Sequence, residues 1–183
     1  MAKVIVGMTT SLDGFVNDRT GSVARLYPDL AALRKTEMLQ DAIANTGAVV
    51  MGRRAYEMAN GDFTGYEFQV PIFVVTHHAP EAVAKGENGE LSFAFVGDLM
   101  SAIQRAKKAA GDNKCVTVVG GASTAQQCIS SGLADEIQIG IVPVLFGSGL
   151  RLFENLGDEP VRLETIQVLK SADRTDITYR VVR

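Results

Sequence analysis

The chain has no tryptophan, two cysteines, two histidines and no long apolar run, and each shortage removes a class of protein. Cys115 and Cys128 are too few for a disulfide framework, and their segments read as a buried strand and a helix, so reduced core thiols are expected. His77 and His78 are adjacent, with no His-x-x-x-His or Cys-x-x-Cys spacing beside them, so the pattern offers no metal site. No stretch approaches the roughly 20 apolar residues of a membrane span. Lys/Arg-rich runs are also missing, and a pI of about 5.4 argues against a nucleic-acid partner, whose affinity would rest on many phosphate contacts. The opening Met1-Ala2-Lys3-Val4-Ile5-Val6 lacks the apolar region and cleavage site of an export signal, so a cytoplasmic protein is expected.

What is present is a chain of 183 residues with 46% hydrophobic residues and a net charge of -3, enough apolar surface to offset the entropy of ordering. We expect one domain over 1–183. Short β-rich runs alternate with helical stretches, which is the pattern of an α/β domain with a largely parallel sheet. Strands are expected at Lys3 to Thr10, Gly47 to Met51, Pro71 to Thr76, Leu91 to Val96, Cys115 to Val119, Glu136 to Val144, Val161 to Lys170 and Thr175 to Val182. Helical composition covers Asp29 to Asn45, Arg53 to Ala59, Asp98 to Ala110 and Ala122 to Ser131, with Gly47, Gly111 and Gly132 placed as stops. The last two strands follow one another around Ser171-Ala172-Asp173-Arg174, so the sheet is expected to end in an antiparallel hairpin. Ser11 to Pro28 and Gly61 to Gln69 read as irregular; a connection as long as the former is more often functional than decorative, and the latter could be plain surface. Lys85 to Glu90 reads as a solvated loop.

Chemistry concentrates where strands end. In Val116-Thr117-Val118-Val119-Gly120-Gly121-Ala122-Ser123-Thr124 a buried strand runs through a diglycine into a helix, which turns free N–H groups and the positive helix end outward, toward a phosphate. A glycine needed only for a tight turn is the plainer reading. Met51-Gly52-Arg53-Arg54 repeats the junction with two arginines in a first helical turn, an arrangement that opposes the helix dipole unless an anion lies there. A surface pair of one arginine with Glu57 is the alternative. Thr76 and His77 close the third strand and could meet a second phosphate. Several phosphate-competent sites on one sheet edge suggest a dinucleotide with an extra phosphate, for which NADPH is the economical choice. In the first loop, Asp13 before Gly14 is most simply a turn residue, yet its position after the first strand also makes it a candidate substrate contact or proton relay.

Taken in order, Ser11-Leu12-Asp13-Gly14, Gly52-Arg53-Arg54-Ala55-Tyr56-Glu57, Val119-Gly120-Gly121-Ala122, Asp135-Glu136-Ile137 and the segment Pro143 to Phe153 resemble the dihydrofolate reductase-like superfamily. The likeness is closest to the branch holding the reductase domain of the bifunctional riboflavin-biosynthesis deaminase/reductase. It covers essentially the whole chain. The resemblance implies a three-layer α/β/α fold with a mixed, mostly parallel sheet of eight or nine strands, NADPH along the strands' carboxyl ends, a cis peptide at Gly120–Gly121, and a homodimer. Under it Gly52, Arg53 and Arg54 approach the cofactor phosphates, Thr76 and His77 the 2′-phosphate, and Gly120, Gly121, Ala122, Ser123 and Thr124 the pyrophosphate. Met8, Thr9 and the loop through Gly14 would cover the nicotinamide.

Two positions depart from the family pattern: Val119 stands where the riboflavin branch has glutamate, and Gly140 where dihydrofolate reductases have threonine. The expected activity is hydride transfer to a C=N or C=O bond of a small pterin- or ribosylaminopyrimidine-like substrate. Asp13, Glu37 and an ordered water are the candidate proton donors. The alternatives are an NADP(H)-binding module without catalysis and an interaction protein that uses Pro143 to Phe153 only as a dimer surface.

Overall fold

A computed structural model describes residues 1–87, 91–171 and 173–183. The eight expected strands form, joined by two short ones that were not expected: β1 (Val4–Ser11), β2 (Phe15–Asn17), β3 (Thr46–Gly52), β4 (Ile72–Val75), β5 (Phe93–Val96), β6 (Cys115–Val118), β7 (Glu136–Val142), β8 (Leu150–Arg151), β9 (Arg162–Ser171) and β10 (Arg174–Val182), the unexpected pair being β2 and β8. Helices α1 (Leu30–Arg34), α2 (Glu37–Asn45), α3 (Arg53–Glu57), α4 (Leu99–Ala110) and α5 (Ala122–Ser130) lie between them. Eight strands make one sheet in the order β5-β4-β3-β6-β1-β7-β10-β9. From β5 to β7 every neighbouring pair is parallel, whereas β10 runs antiparallel to β7 and to β9. The hairpin is therefore present; its Ala172, like residues 88–90 of the expected solvated loop, lies outside the described residues.

Side-chain alternation on β3 shows the layers. Ala48 and Val50 face a core shared with Leu99, Ala102, Ile103 and Ala106 of α4 and Ala125, Cys128 and Ile129 of α5. Val49 and Met51 face the other way, into a cluster with Tyr56, Phe63, Phe68 and, more peripherally, Leu39, Ala42 and Ile43 of α2. Both cysteines are free and buried, and burial pushes the Cys128 thiol up to about 12, so it packs as an inert apolar group.

Four local expectations change. The helix read over Asp29 to Asn45 is two helices, because Thr36 leaves the helical conformation and its Oγ1 accepts from Leu39 N, capping α2. Gly47 does not stop that helix; it lies in β3, so close to Ala110 and Lys114 that a Cβ would be 2.8 Å from the Ala110 Cα. The stretch 61–69 is not plain surface, since Phe63 and Phe68 are buried and Phe63 stacks on Tyr56 at 5.6 Å between centroids.

The Ser11 to Pro28 connection is also more regular than expected, with β2 paired to β8 and a short 3-10 turn at Ala24–Leu26. Its partner is the Pro143 to Phe153 segment. Leu12 N donates to Val144 O at 2.9 Å and Leu152 N to Gly14 O at 3.0 Å, while the Arg151 guanidinium lies 4.5 Å from the Phe15 ring centroid. That segment thus braces the first loop, a role beyond the dimer surface that one reading gave it.

Candidate active site

Because β4, β3, β6 and β1 are consecutive parallel neighbours, their carboxyl ends place Thr76, Gly52, Gly120 and the Met8 to Ser11 stretch in a row along one sheet edge. This is the edge where open α/β sheets take ligands. The two glycine junctions meet directly. Gly52 N donates to Gly120 O at 2.9 Å, and a Cβ on Gly52 would stand 2.5 Å from Thr124 Oγ1, so only glycine permits this approach. Gly120 has φ +58 and its peptide bond to Gly121 is cis, as the family likeness implied. Gly120 N also donates to Met8 Sδ at 3.1 Å, which ties the end of β1 to the same cradle.

Helix capping separates this cradle from the remaining helices. Asp29, Thr36 and Asp98 cap α1, α2 and α4 with their own side chains. The N-caps of α3 and α5 are Gly52 and Gly121, so among the described residues these two helices open without a side-chain cap. Nothing stands within 4 Å of where a side chain would project from Gly121 or from Gly14. The cradle therefore offers unclaimed N–H groups and open space, which an anion can fill.

Around it, Arg53 and Arg54 are exposed at the start of α3, and the Arg53 Nε lies 3.7 Å from Glu57 Oε1, the surface pair that was the alternative reading. Ala122 and Thr124 are buried in the first turn of α5, and the exposed Ser123 accepts from Gln127 Nε2 at 3.0 Å. Thr76 Oγ1 donates to His78 O at 3.0 Å, and His77 is exposed beside it.

Asp13 is held by three donors, one from its own loop and two from residues 146–147. Its Oδ1 accepts from Ser11 Oγ at 2.6 Å and Phe146 N at 3.1 Å, and its Oδ2 accepts from Gly147 N at 2.7 Å. Chiefly through the Ser11 hydrogen bond, its pKa falls from 3.8 to about 2, so at neutral pH it is an ionised clasp between the first loop and residues 146–147. Glu37 is the exposed first residue of α2, in a shallow depression with Thr36, Leu169 and Ser171, away from the glycine cradle.

Sequence reasoning missed one group. Thr9, Gly140 and Asp176 stand in register on β1, β7 and β10, and the Arg174 guanidinium lies over Gly140, where a side chain would collide with it. Arg174 Nε donates to Asp176 Oδ1 at 2.6 Å, and Asp176 is fully buried. Two signals were available: a glycine inside Glu136-Ile137-Gln138-Ile139-Gly140-Ile141, which marks close approach, and an Arg-x-Asp alternation that puts both charges on one strand face.

Comparison with known proteins agrees with this geometry. A curated relative, the uncharacterized protein YyaP of Bacillus subtilis (strain 168), is 24% identical over 159 residues, 82% of this chain and 80% of that protein. A solved structure from Shewanella sp. PV-4, provisionally named a riboflavin biosynthesis protein, superposes with a TM-score of 0.79 at 26% identity and full coverage of both chains. The chain also superposes on 57% of a diaminohydroxyphosphoribosylaminopyrimidine deaminase/5-amino-6-(5-phosphoribosylamino)uracil reductase from Thermotoga maritima, with a TM-score of 0.68 at 15% identity. A family model matches residues 2–176, nearly the whole chain, and the protein belongs to the RibD C-terminal domain family.

Proposed function

We propose that the protein is an NADPH-dependent reductase acting on a C=N or C=O bond of a small heterocycle of the pterin or ribosylaminopyrimidine kind. The carrying observation is the pair of uncapped helix starts brought together by Gly52 and Gly120. In this reading the Gly120 to Thr124 turn holds the pyrophosphate, and Arg53 and Arg54 supply cations that α3 otherwise has no reason to gather at its positive end. Thr76 and His77 take the 2′-phosphate. Met8, Thr9 and Gly14 flank the nicotinamide. When bound, NADPH supplies the hydride.

The chain's own work is positioning. The Ser11 to Pro28 loop, clasped by Asp13 and braced by β8, keeps water from the reacting atoms. With Asp13 ionised, protonation of the reduced atom falls to solvent water, with Glu37 at a distance from the cradle. Binding without turnover is the second reading, supported by Val119, which packs against the aromatic cluster where a carboxylate would be needed.

The first experiment is titration with NADPH and NADH followed by nicotinamide fluorescence, repeated with Arg53→Ala. Preference for NADPH that weakens in the variant supports the reading, and no binding of either nucleotide removes it. Loss of nicotinamide absorbance with a pyrimidine or pterin acceptor then separates enzyme from binding module. We further propose a cytoplasmic homodimer joined along β9, an outer strand with Leu163, Ile166 and Val168 exposed. Sedimentation of Val168→Lys should show monomers.

A further inference from the structure

The sheet beyond β1 holds a charged group that cofactor binding leaves unused. Arg174 Nε donates to Asp176 Oδ1 at 2.6 Å and Ser171 Oγ donates to Oδ2 at 3.2 Å, so both oxygens of the buried carboxylate are engaged. The Arg174 side chain is 14% exposed. Its Nη1 has one long contact, to Thr9 Oγ1 at 3.4 Å, and thus keeps donor capacity. The same arginine lines a small cleft of about 60 Å³ walled by Leu26, Tyr27, Pro28, Leu33 and Val142, an apolar recess with room for the edge of a ring and not for a whole ligand. Two acids also lie on the cleft: Asp29, whose Oδ1 accepts from Ala32 N at 2.9 Å, and Asp173, exposed at the hairpin.

We propose, resting on the reductase reading, that Arg174 determines substrate specificity by donating from Nη1 to an sp2 oxygen of the substrate, a ring carbonyl or a carboxylate. A guanidinium only donates, so it takes an oxygen acceptor and finds no partner in a ring amino group, which a carboxylate would read. Asp176 compensates the charge and fixes the plane of the fork, so a neutral carbonyl oxygen suffices and an ionised one is not required. Gly140 is what makes room: any side chain there would displace the guanidinium. Thr9, in register with Gly140 and touching Nη1, joins this anchor to the strand whose end flanks the nicotinamide.

The test measures calorimetric binding of three flat probes to the full chain: uracil with neutral ring carbonyls, benzoate with a carboxylate, and aniline, whose ring carries only an amino group. An oxygen-edged probe should bind better than aniline, and Arg174→Lys, which keeps a cation beside Asp176 but loses the fork, should weaken it about tenfold. Gly140→Ala should do the same with every charge retained, while NADPH titration of both variants stays within about twofold of the parent. Uracil binding without benzoate binding identifies a carbonyl-bearing substrate, and the reverse an anionic one. Equal probe affinity in parent and variants, tightest binding of aniline, or no oxygen-edged probe bound by a protein that binds NADPH overturns the role of Arg174. Probe binding that depends on Arg174 in a protein without NADPH affinity instead removes the reductase reading and leaves the oxygen anchor standing.

Discussion

The two ends of the carboxyl edge are built from different materials. The cradle at β3 and β6 is made of backbone, with glycines, N–H groups and helix ends from contiguous segments. The end at β1, β7 and β10 is made of side chains, Thr9, Arg174, Asp176 and Ser171, gathered from distant parts of the chain around the gap at Gly140. A backbone site recognises what every nucleotide shares, a phosphate at a helix end. A side-chain site discriminates, because its donors and acceptors change with single substitutions. The difference predicts that damage to the first end appears in cofactor affinity and damage to the second in substrate choice and stability.

The largest effect should come from Asp176→Ala. Removing a fully buried carboxylate leaves Arg174 uncompensated beneath the cleft, at a cost of about 3–5 kcal/mol. Denaturant unfolding reads this directly. Restoring most of the loss in an Arg174→Met/Asp176→Leu double variant would show that the unpaired charge was responsible, and a loss below about 1 kcal/mol for Asp176→Ala would refute the pairing.

At the opposite end, Gly52→Ala should cost less stability and more affinity. Its Cβ would stand 2.5 Å from Thr124 Oγ1, so β3 and the start of α5 must separate. Overpacking of this kind costs about 1–3 kcal/mol, and NADPH affinity should fall by about tenfold or more because the two junctions no longer share one cradle. Unchanged nucleotide binding in this variant would detach the glycine contact from the cofactor site.

The same contrast explains what the sequence made legible. Each glycine junction is local: strand, glycine and helix lie within ten residues, and Val116 to Ala125 carries the whole pattern. The parallel sheet and its antiparallel hairpin were likewise readable, since β-branched runs and the lack of a helix between the last two strands are local features. The Arg174 site is not local, because Thr9 and Arg174 meet only through the placement of β7 between β1 and β10. Asp13 shows a middle case. Its turn was visible beside Gly14 as the simplest reading, but its partners Phe146 and Gly147 lie far along the chain, and without them a proton relay stayed open beside it. The break between α1 and α2 escaped because Thr36 works as a cap only once the chain turns there.

Smaller effects sharpen the comparison further. Arg53→Ala gives up an exposed pair with Glu57 at 3.7 Å, which contributes at most about 1 kcal/mol, so the fold should be unaffected. Its affinity for NADPH should drop about fivefold at low salt, and the difference should shrink as ionic strength rises. A salt-independent loss would mean that Arg53 acts through packing, with no phosphate involved.

The smallest effect belongs to the Asp13 clasp, which ties the loop after β1 to the segment after β7. The folded pKa of Asp13 is about 2, below its ordinary 3.8, so its contribution is fully present above the ordinary value and is lost as pH falls through the folded one. Gly147 N donates to the Asp13 carboxylate at 2.7 Å, and the Gly147 amide resonance should therefore titrate with a midpoint near 2. In Asp13→Asn that titration should vanish, while binding at neutral pH changes only as far as the first loop loosens over the nicotinamide end. A Gly147 midpoint at 3.8 would mean that the hydrogen bonds do not favour the ionised carboxylate, and the clasp would be refuted.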